Sequence, residues 1–173
     1  MAGQGTAGLE LMVQAKQKGA VPDAVLVCCS GGGFLTGVAL AVKDANPKTD
    51  VYSVEPAGFD DFARSLASGR IEKNPTSSGS ICDALMSPQP GKYTFAVARK
   101  TVAGGLVVTD DDARAAMRYA FEELKLVLEP GGAVALAAIL TGKIASKGRT
   151  VAAVLSGGNV DPGQFASIIS GGI

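Results

Sequence analysis

The sequence feature that most constrains the fold is an alternation of short apolar runs with longer helical patterns. The clearest unit begins with the continuous apolar run 24–29, continues through a glycine-rich turn at 30–33, and ends in a helical pattern over 34–45. A short apolar run bounded by turn residues is typical of a strand buried in a parallel sheet, and glycine permits the tight turn that follows. We therefore predict a strand, a turn and a helix in this order.

The same alternation continues along the rest of the chain. Three further apolar runs predict strands, and helical patterns surround them: strands at 51–54, 105–108 and 150–155, and helices at 6–18, 59–68, 110–124, from 130 to about 144, and at 162–169. This order predicts that residues 1–173 form a single α/β domain of three layers, an open, mostly parallel sheet with helices on both faces. The stretch 70–91 breaks the pattern and is either a linker or a binding loop.

Composition excludes several classes of protein. The 16 basic and 16 acidic side chains give zero net charge, so a nucleic-acid binder driven by bulk electrostatics is excluded. The chain has no histidine, so it can build neither a Ser-His-Asp triad nor a histidine-bearing zinc site. An apolar fraction of 47% argues against disorder, and the apolar stretches are too short to cross a membrane.

The three cysteines, Cys28, Cys29 and Cys82, show no metal-ligand spacing, and the first two are adjacent within an apolar run. We expect buried free thiols, which is the usual state of cysteine in a reducing compartment. The first residues lack the basic flank and apolar core of a signal peptide. These features together predict a cytoplasmic protein.

In open α/β sheets, ligands bind at the carboxyl ends of the strands, and three of the predicted strands end in unusual residues. Ser30, Gly31, Gly32 and Gly33 follow the first strand and precede a helix. Glycines allow the backbone to approach an anion, and the helix start supplies free N–H groups, so a phosphate is the natural ligand. A tight turn without a ligand is the alternative. The pattern is neither G-x-G-x-x-G nor a lysine-bearing P-loop, which argues against a nucleotide.

Two other strand ends carry polar residues that allow two interpretations each. Ser156 and Asn159 follow the last strand, and the serine either bonds a ligand heteroatom or caps a helix. Glu55 follows the second strand with Asp60 and Asp61 close behind, which suits Mg²⁺ or Ca²⁺ but also a solvated helix start. Outside the strand ends, Glu129 precedes a predicted helix, where a plain N-terminal cap is the alternative to a ligand contact.

The ordered set of motifs is more specific than any of its members. The chain carries, in order, AGQGTAGLE at 2–10, SGGGF at 30–34, VEP at 54–56, LEPGGA at 128–133 and LSGGNV at 155–160. This set resembles the pyridoxal-phosphate enzymes of the tryptophan-synthase-β superfamily, which have fold type II. Within that superfamily the chain looks most like the threonine/serine dehydratases and serine racemases, and the resemblance extends over about 2–169.

The resemblance implies roles for the residues of the cofactor site. In relatives the glycine loop wraps the cofactor phosphate, and a serine bonds the pyridine nitrogen. The positions that match here are the loop Ser30, Gly31, Gly32 and Gly33, the helix-opening Phe34, the ring-nitrogen serine Ser156, and Glu129 and Asn159 on the wall beside the ring.

The resemblance also implies a cation and a segment beside the ring. The cation ligands of relatives match Glu55, the backbone carbonyl of Phe59, and Asp61, so Mg²⁺, Ca²⁺, Mn²⁺ or a monovalent cation is expected. The segment 80–85 matches one that passes the phenolic oxygen of the cofactor. Relatives usually have glycine where this chain has Ala84, so a methyl group would tighten that approach.

Members of the family are roughly twice this length, and their Schiff-base lysine lies in the N-terminal half. Lys147, in a polar turn before the last strand, is interpreted as a solvated residue. We therefore expect a C-terminal, large-domain fragment of a threonine/serine dehydratase that is inactive alone and whose full-length relatives act on an amino acid. A serine-racemase-like fragment and a non-catalytic phosphate-binding or pyridoxal-phosphate-binding module are the alternatives. We also expect a homodimer or association with the N-terminal half.

Overall fold

A computed structural model describes residues 1–171 and contains one sheet of four parallel strands. The strands are β1 Ala24–Cys28, β2 Asp50–Pro56, β3 Gly104–Val108 and β4 Val151–Ala153. They lie in the order β3-β2-β1-β4, and every pair is parallel. The carboxyl ends of all four strands therefore meet at one edge of the sheet, and the sequence-based prediction of a parallel α/β fold is confirmed.

Seven α-helices cover the two faces of the sheet within the described part of the chain. They are α1 Ala2–Gln17, α2 Gly33–Ala45, α3 Asp61–Ser68, α4 Lys92–Thr101, α5 Asp110–Tyr119, α6 Pro130–Leu140 and α7 Pro162–Ile169. A 3₁₀ turn at Asp83–Leu85 and a π-helical turn at Ala120–Leu124 complete the regular structure. No helix among residues 1–171 is long and apolar enough to span a membrane.

Alternation of side chains along β1 divides the core into two clusters. Leu26 and Cys28 pack on the face covered by α5, α6 and α7, whereas Val25, Val27 and Cys29 pack on the face covered by α2, α3 and α4. All five of these side chains are buried. A strand that is apolar at every position is what burial on both faces requires.

Several predicted boundaries are wrong, and α4 was not predicted at all. The helix that starts at Pro130 ends at Leu140 rather than near 144, because the chain turns at Gly142 with a φ of 69°. Strand β4 covers only Val151–Ala153 instead of 150–155. The helix predicted over 110–124 changes to a π-helical turn for its last five residues and ends at Lys125, which has a φ of 59°.

The stretch 70–91 is a tethered loop and not a free linker. The Asn74 backbone N–H donates to the Pro88 carbonyl at 2.9 Å, and the Asn74 side chain donates to the Ser87 carbonyl at 2.8 Å. The Gly91 N–H donates to the Gly31 carbonyl at 3.1 Å. These bonds hold the loop against the carboxyl edge of the sheet, where the predicted site residues lie.

Candidate functional site

The glycine turn after β1 forms a cradle at the start of α2. Gly32 is the N-cap residue and has a φ of 87°, a conformation that favours glycine. Among the described residues, no acceptor bonds the N–H groups of Gly33, Phe34 or Leu35, which begin the helix. A Cβ atom added to Gly33 would meet no atom within 4 Å. The turn therefore presents unpaired donors and open space, as an anion site requires.

Four neighbours fix the shape of this cradle. The Thr94 hydroxyl donates to the Gly31 carbonyl at 2.6 Å, beside the bond from Gly91. The ring of Phe62 lies so close to Gly32 that any Cβ atom there would clash with it. Ser30 and Ser87 are joined through their hydroxyls at 2.6 Å. The cradle is thus held from the 70–91 loop, from α3 and from α4.

Ser156 follows β4 at the same edge of the sheet and is an exposed residue. The Cys28 thiol donates to the Ser156 hydroxyl oxygen with a sulfur–oxygen distance of 3.2 Å. The interpretation of Ser156 as a helix cap is wrong, because the next helix, α7, is capped by Asp161, whose carboxylate accepts from the Gln164 N–H at 2.9 Å. The hydroxyl is therefore left to face solvent or a ligand.

Glu129 lies against the Ser156 loop. Its backbone N–H donates to the Gly157 carbonyl at 3.0 Å, and a Cβ atom added to Gly157 would lie 2.5 Å from the Glu129 Oε1 atom. The side chain makes no cap bond to α6 within the described residues, so the plain-cap interpretation is not supported. Asn159 is exposed three residues after Ser156. The fold thus places three of the predicted site residues at the carboxyl edge of the sheet: Glu129, Ser156 and Asn159.

Glu55 and Asp61 are fully buried, so the solvated helix-start interpretation is wrong for both. The two carboxylate oxygens of Glu55 accept from the N–H groups of Phe62 at 2.8 Å and Ala63 at 2.7 Å, which caps α3 from the end of β2. Asp61 accepts through Oδ1 from the Asn74 side chain, and its buried Oδ2 has no partner among residues 1–171. Asp60 remains half-buried and pairs with Arg64 at 3.3 Å.

Burial raises the pKa of both carboxyls, that of Glu55 well above its usual value. Phe59, whose carbonyl the resemblance adds to the set, is itself buried. No group of three acidic, cysteine or histidine side chains that could hold a metal occurs in the described part of the chain. A cation here would need carbonyl and water oxygens besides the two carboxylates, and the unpaired Asp61 oxygen fits that donor set.

The segment 80–85 is anchored to the start of α5. The Asp110 carboxylate accepts from the Ser80 hydroxyl at 2.6 Å and from the Ile81 N–H at 3.0 Å. Ala84 is exposed, and Cys82 is buried as a free thiol, as are Cys28 and Cys29, so the prediction of buried free thiols is confirmed. Lys147 is exposed in a turn before β4, at the opposite edge of the sheet.

Sequence reasoning missed the residues that hold the site together, namely Phe62, Asn74, Ser87 and Thr94. Each acts through a contact with a residue more than ten positions away along the chain. Only the polar composition of 70–91 gave a signal, since it left a binding loop as one of two interpretations. A groove of about 560 Å³ lies elsewhere, between α1 and the start of β1, and is lined mostly by apolar side chains.

Comparison with known proteins places this geometry in a family. A family model described as "Pyridoxal-phosphate dependent enzyme" matches residues 1–157. A serine racemase of Dictyostelium discoideum is 38% identical over 98% of this chain and 52% of its own length. A phenylserine dehydratase of Ralstonia pickettii is 42% identical over 95% of this chain and 49% of its own length.

A similar structure has been solved for a threonine deaminase from the organism abbreviated T.th. It superposes with a TM-score of 0.87 and 44% identity, over 92% of this chain and 56% of that one. This chain spans about half the length of the curated relatives that it matches. Because the family model covers most of the chain and the fold agrees, the chain belongs to the pyridoxal-phosphate-dependent enzymes, in the part of the family that includes dehydratases and racemases.

Proposed function

We propose that the chain supplies the cofactor cradle of a dehydratase that removes water from a β-hydroxy amino acid. The observation that carries the proposal is the fixed glycine turn with unpaired N–H groups at the start of α2. Pyridoxal 5′-phosphate, when bound, supplies an electron sink that weakens the Cα–H bond of an attached amino acid. The family match supports this cofactor.

The residues of the chain would hold the cofactor at two ends. The glycine turn would wrap the phosphate, and the unpaired N–H groups of Gly33, Phe34 and Leu35 would bind it. The start of α2 also favours the negative charge of the phosphate. The Ser156 hydroxyl would donate a hydrogen bond to the ring nitrogen. A neutral hydroxyl cannot keep that nitrogen protonated as a carboxylate would, so the electron sink is moderated, which suits elimination.

Glu129 and Asn159 form the wall beside the ring in this proposal. The names of the relatives support the substrate class, since serine, threonine and phenylserine all carry a hydroxyl on Cβ. Loss of the Cα proton and the Cβ hydroxyl releases water, and hydrolysis of the product gives a 2-oxo acid and ammonia. Lys147 precedes β4, at the opposite end of the strands from the cradle, and the proposal assigns the base that takes the proton to the lysine that family members carry in their N-terminal half.

A cation completes the proposed site. Glu55, the Phe59 carbonyl and Asp61 would hold Mg²⁺, Ca²⁺, Mn²⁺ or a monovalent cation with water in the remaining positions. The buried and unpaired Oδ2 atom of Asp61 supports this assignment, because a buried charge without a partner is unfavourable. The cation would neutralise two carboxylates that are linked to the cradle by Phe62, whose N–H donates to Glu55 and whose ring packs against Gly32.

A serine racemase is the second candidate, favoured by the 38% identity to the Dictyostelium protein. The two activities share the cradle and differ in whether the Cβ hydroxyl leaves. A chain that binds a phosphate ligand without chemistry is the third. Substrate turnover in a reconstituted enzyme distinguishes all three, and affinity for pyridoxine 5′-phosphate no higher than that for inorganic phosphate would favour a simple phosphate-binding module.

The cradle is tested by substitution of Gly33, which has open space before it. Gly33→Val should abolish binding of inorganic phosphate, measured by calorimetry, because the new side chain occupies the space of the anion. Gly3→Val is the matched control, since Gly3 also lies in the first turn of a helix and meets no atom within 4 Å. Unchanged affinity in Gly33→Val would show that the turn binds no anion. Gly32 is a poorer test, because any side chain there clashes with Phe62.

Catalysis is tested by complementation. The chain alone should release no 2-oxobutanoate from threonine, because the Schiff-base lysine is not among its residues. Addition of the lysine-bearing N-terminal half of a threonine deaminase, with pyridoxal phosphate, should produce 2-oxobutanoate and ammonia in equal amounts. Conversion of L-serine to D-serine as the main reaction would instead favour the racemase. Turnover by the purified chain alone would overturn the proposal that the catalytic lysine comes from outside this chain.

A further inference from the structure

The Cys28 thiol and the Ser156 hydroxyl form a contact whose geometry is set by the sheet. Cys28 ends β1, Ser156 follows β4, and these two strands pair in parallel. The pairing continues past the end of β4, since the Val154 N–H donates to the Leu26 carbonyl at 2.9 Å. Ser156 lies past the end of β4, between this bond and the one that the Glu129 N–H donates to the Gly157 carbonyl at 3.0 Å, so backbone bonds on both sides of Ser156 support the 3.2 Å contact between Sγ and Oγ.

The thiol is the donor in this contact. Cys28 is only 6% exposed, and burial, with the nearby Glu129 carboxylate, raises the pKa of its thiol, so the proton stays on sulfur. A serine hydroxyl has one proton and two lone pairs. When one lone pair accepts from Cys28, the serine proton is free for another acceptor. Among the described residues, no other group bonds the Ser156 hydroxyl.

We infer that Cys28 is a positioning residue that orients Ser156 as a hydrogen-bond donor toward the cofactor ring nitrogen. The inference rests on the proposed function, in which Ser156 meets that nitrogen. Without the thiol, the Ser156 hydroxyl can rotate and accept a hydrogen bond from a protonated ring nitrogen. With the thiol, donation by the hydroxyl is favoured, and the nitrogen is held neutral. Cys28 thus sets the strength of the electron sink without contact with the ring.

The charged group that faces this pair is Glu129, at the start of α6. Its carboxylate lies beside Gly157, next to Ser156. A negative charge here favours protonation of the ring nitrogen in every variant alike. Comparison of variants that all retain Glu129 therefore isolates the effect of Cys28.

The test uses pyridoxine 5′-phosphate, which has no aldehyde and needs no lysine. Its ultraviolet absorption reports ring protonation, so the pH at which the bound ring nitrogen titrates can be measured. Cys28→Ala should raise that pH by about one unit, a tenfold change in the protonation equilibrium, and Cys28→Ser, which keeps a donor, should restore part of the difference. In a Ser156→Ala background, Cys28→Ala should cause no shift.

Cys29→Ala is the matched control, because Cys29 is the adjacent buried thiol on the opposite face and contacts the Ser30 carbonyl instead of Ser156. It should leave the titration unchanged. If Cys28→Ala fails to fold, the wild-type chain should still titrate at lower pH than Ser156→Ala. Equal titration in wild type and Ser156→Ala, or in wild type and Cys28→Ala, would overturn the role of Cys28 while ligand binding persists. Failure of the wild-type chain to bind would overturn the proposed function and this role together.

Discussion

Asp61 is a buried acidic residue with one unpaired carboxylate oxygen in the described structure. It is fully buried, and its Oδ2 atom has no hydrogen-bond partner among residues 1–171. Burial raises its pKa, so the unfolded chain releases this proton at lower pH than the folded protein does. In that pH range the folded state binds more protons, and the free energy of unfolding falls as pH rises. The ionised carboxylate therefore destabilises the fold until a cation neutralises it.

Asp61→Asn should stabilise the protein by about 1 kcal/mol at neutral pH without a divalent cation, because it removes a buried charge. Its free energy of unfolding should also fall less between about pH 4 and pH 7. Urea denaturation measures both effects. Asp44→Asn, an exposed acid on α2, is the control and should change neither. A loss of stability in Asp61→Asn at neutral pH would contradict this account.

The same variant separates a specific cation from a general salt effect. Ca²⁺ or Mg²⁺ should raise the melting temperature of the wild-type chain by mass action and leave that of Asp61→Asn nearly unchanged. Affinity should be modest, since water must supply several ligands. Thermal denaturation over a cation titration provides the measurement. An equal rise in both proteins would place the cation elsewhere.

At the scale of elements, Asn74 connects α3 to the 70–91 loop. Its side chain donates to Asp61 and to the Ser87 carbonyl, and it accepts from Arg64 at 2.7 Å. Asn74→Ala should loosen the loop and leave Asp61 with both oxygens unpaired. We expect a loss of about 2 kcal/mol and faster amide exchange over 75–88, measured by hydrogen-exchange mass spectrometry. Ser77→Ala, at an exposed position of the same loop, should change neither quantity.

The elements that could be predicted from sequence are those whose burial produces a continuous run of apolar residues. β1 is apolar at every position because it is covered on both faces, so its pattern identified it. Helix α4 escaped prediction because it starts after Gly91 without a side-chain cap and exposes Tyr93 to 77%. The site residues that directly follow a strand could also be predicted, because the strand itself is recognisable in the sequence. Asn74, Ser87 and Thr94 could not, because they act through tertiary contacts.

At the scale of the molecule, the edge strands β3 and β4 are mostly half-buried, and α1 exposes apolar side chains. β4 is an edge strand whose residues are only half-buried, and Leu9 and Val13 of α1 are exposed beside an apolar groove. Unpaired strand edges and apolar patches favour association, and zero net charge does not oppose it. We expect a dimer or larger species by light scattering at tens of micromolar protein.

Val13→Lys should shift that equilibrium toward the monomer, because it places a charge in the apolar groove. Tyr93→Lys is the matched control, since Tyr93 is also exposed but lies on α4, away from the groove. Hydrogen exchange along β4 shows whether the strand edge takes part. A wild-type monomer with protected amides in every strand would contradict the expectation.

The tethers around the glycine turn bear on how quickly a ligand can arrive. Gly31 is bonded by Thr94 and Gly91, and Gly32 is held in its left-handed conformation beside Phe62 before any anion is present. A binding site that is already formed needs no slow conformational change after the ligand arrives. Stopped-flow traces of phosphate binding should therefore show one phase whose rate rises in proportion to concentration, without a plateau, so that residence time alone distinguishes strong ligands from weak ones.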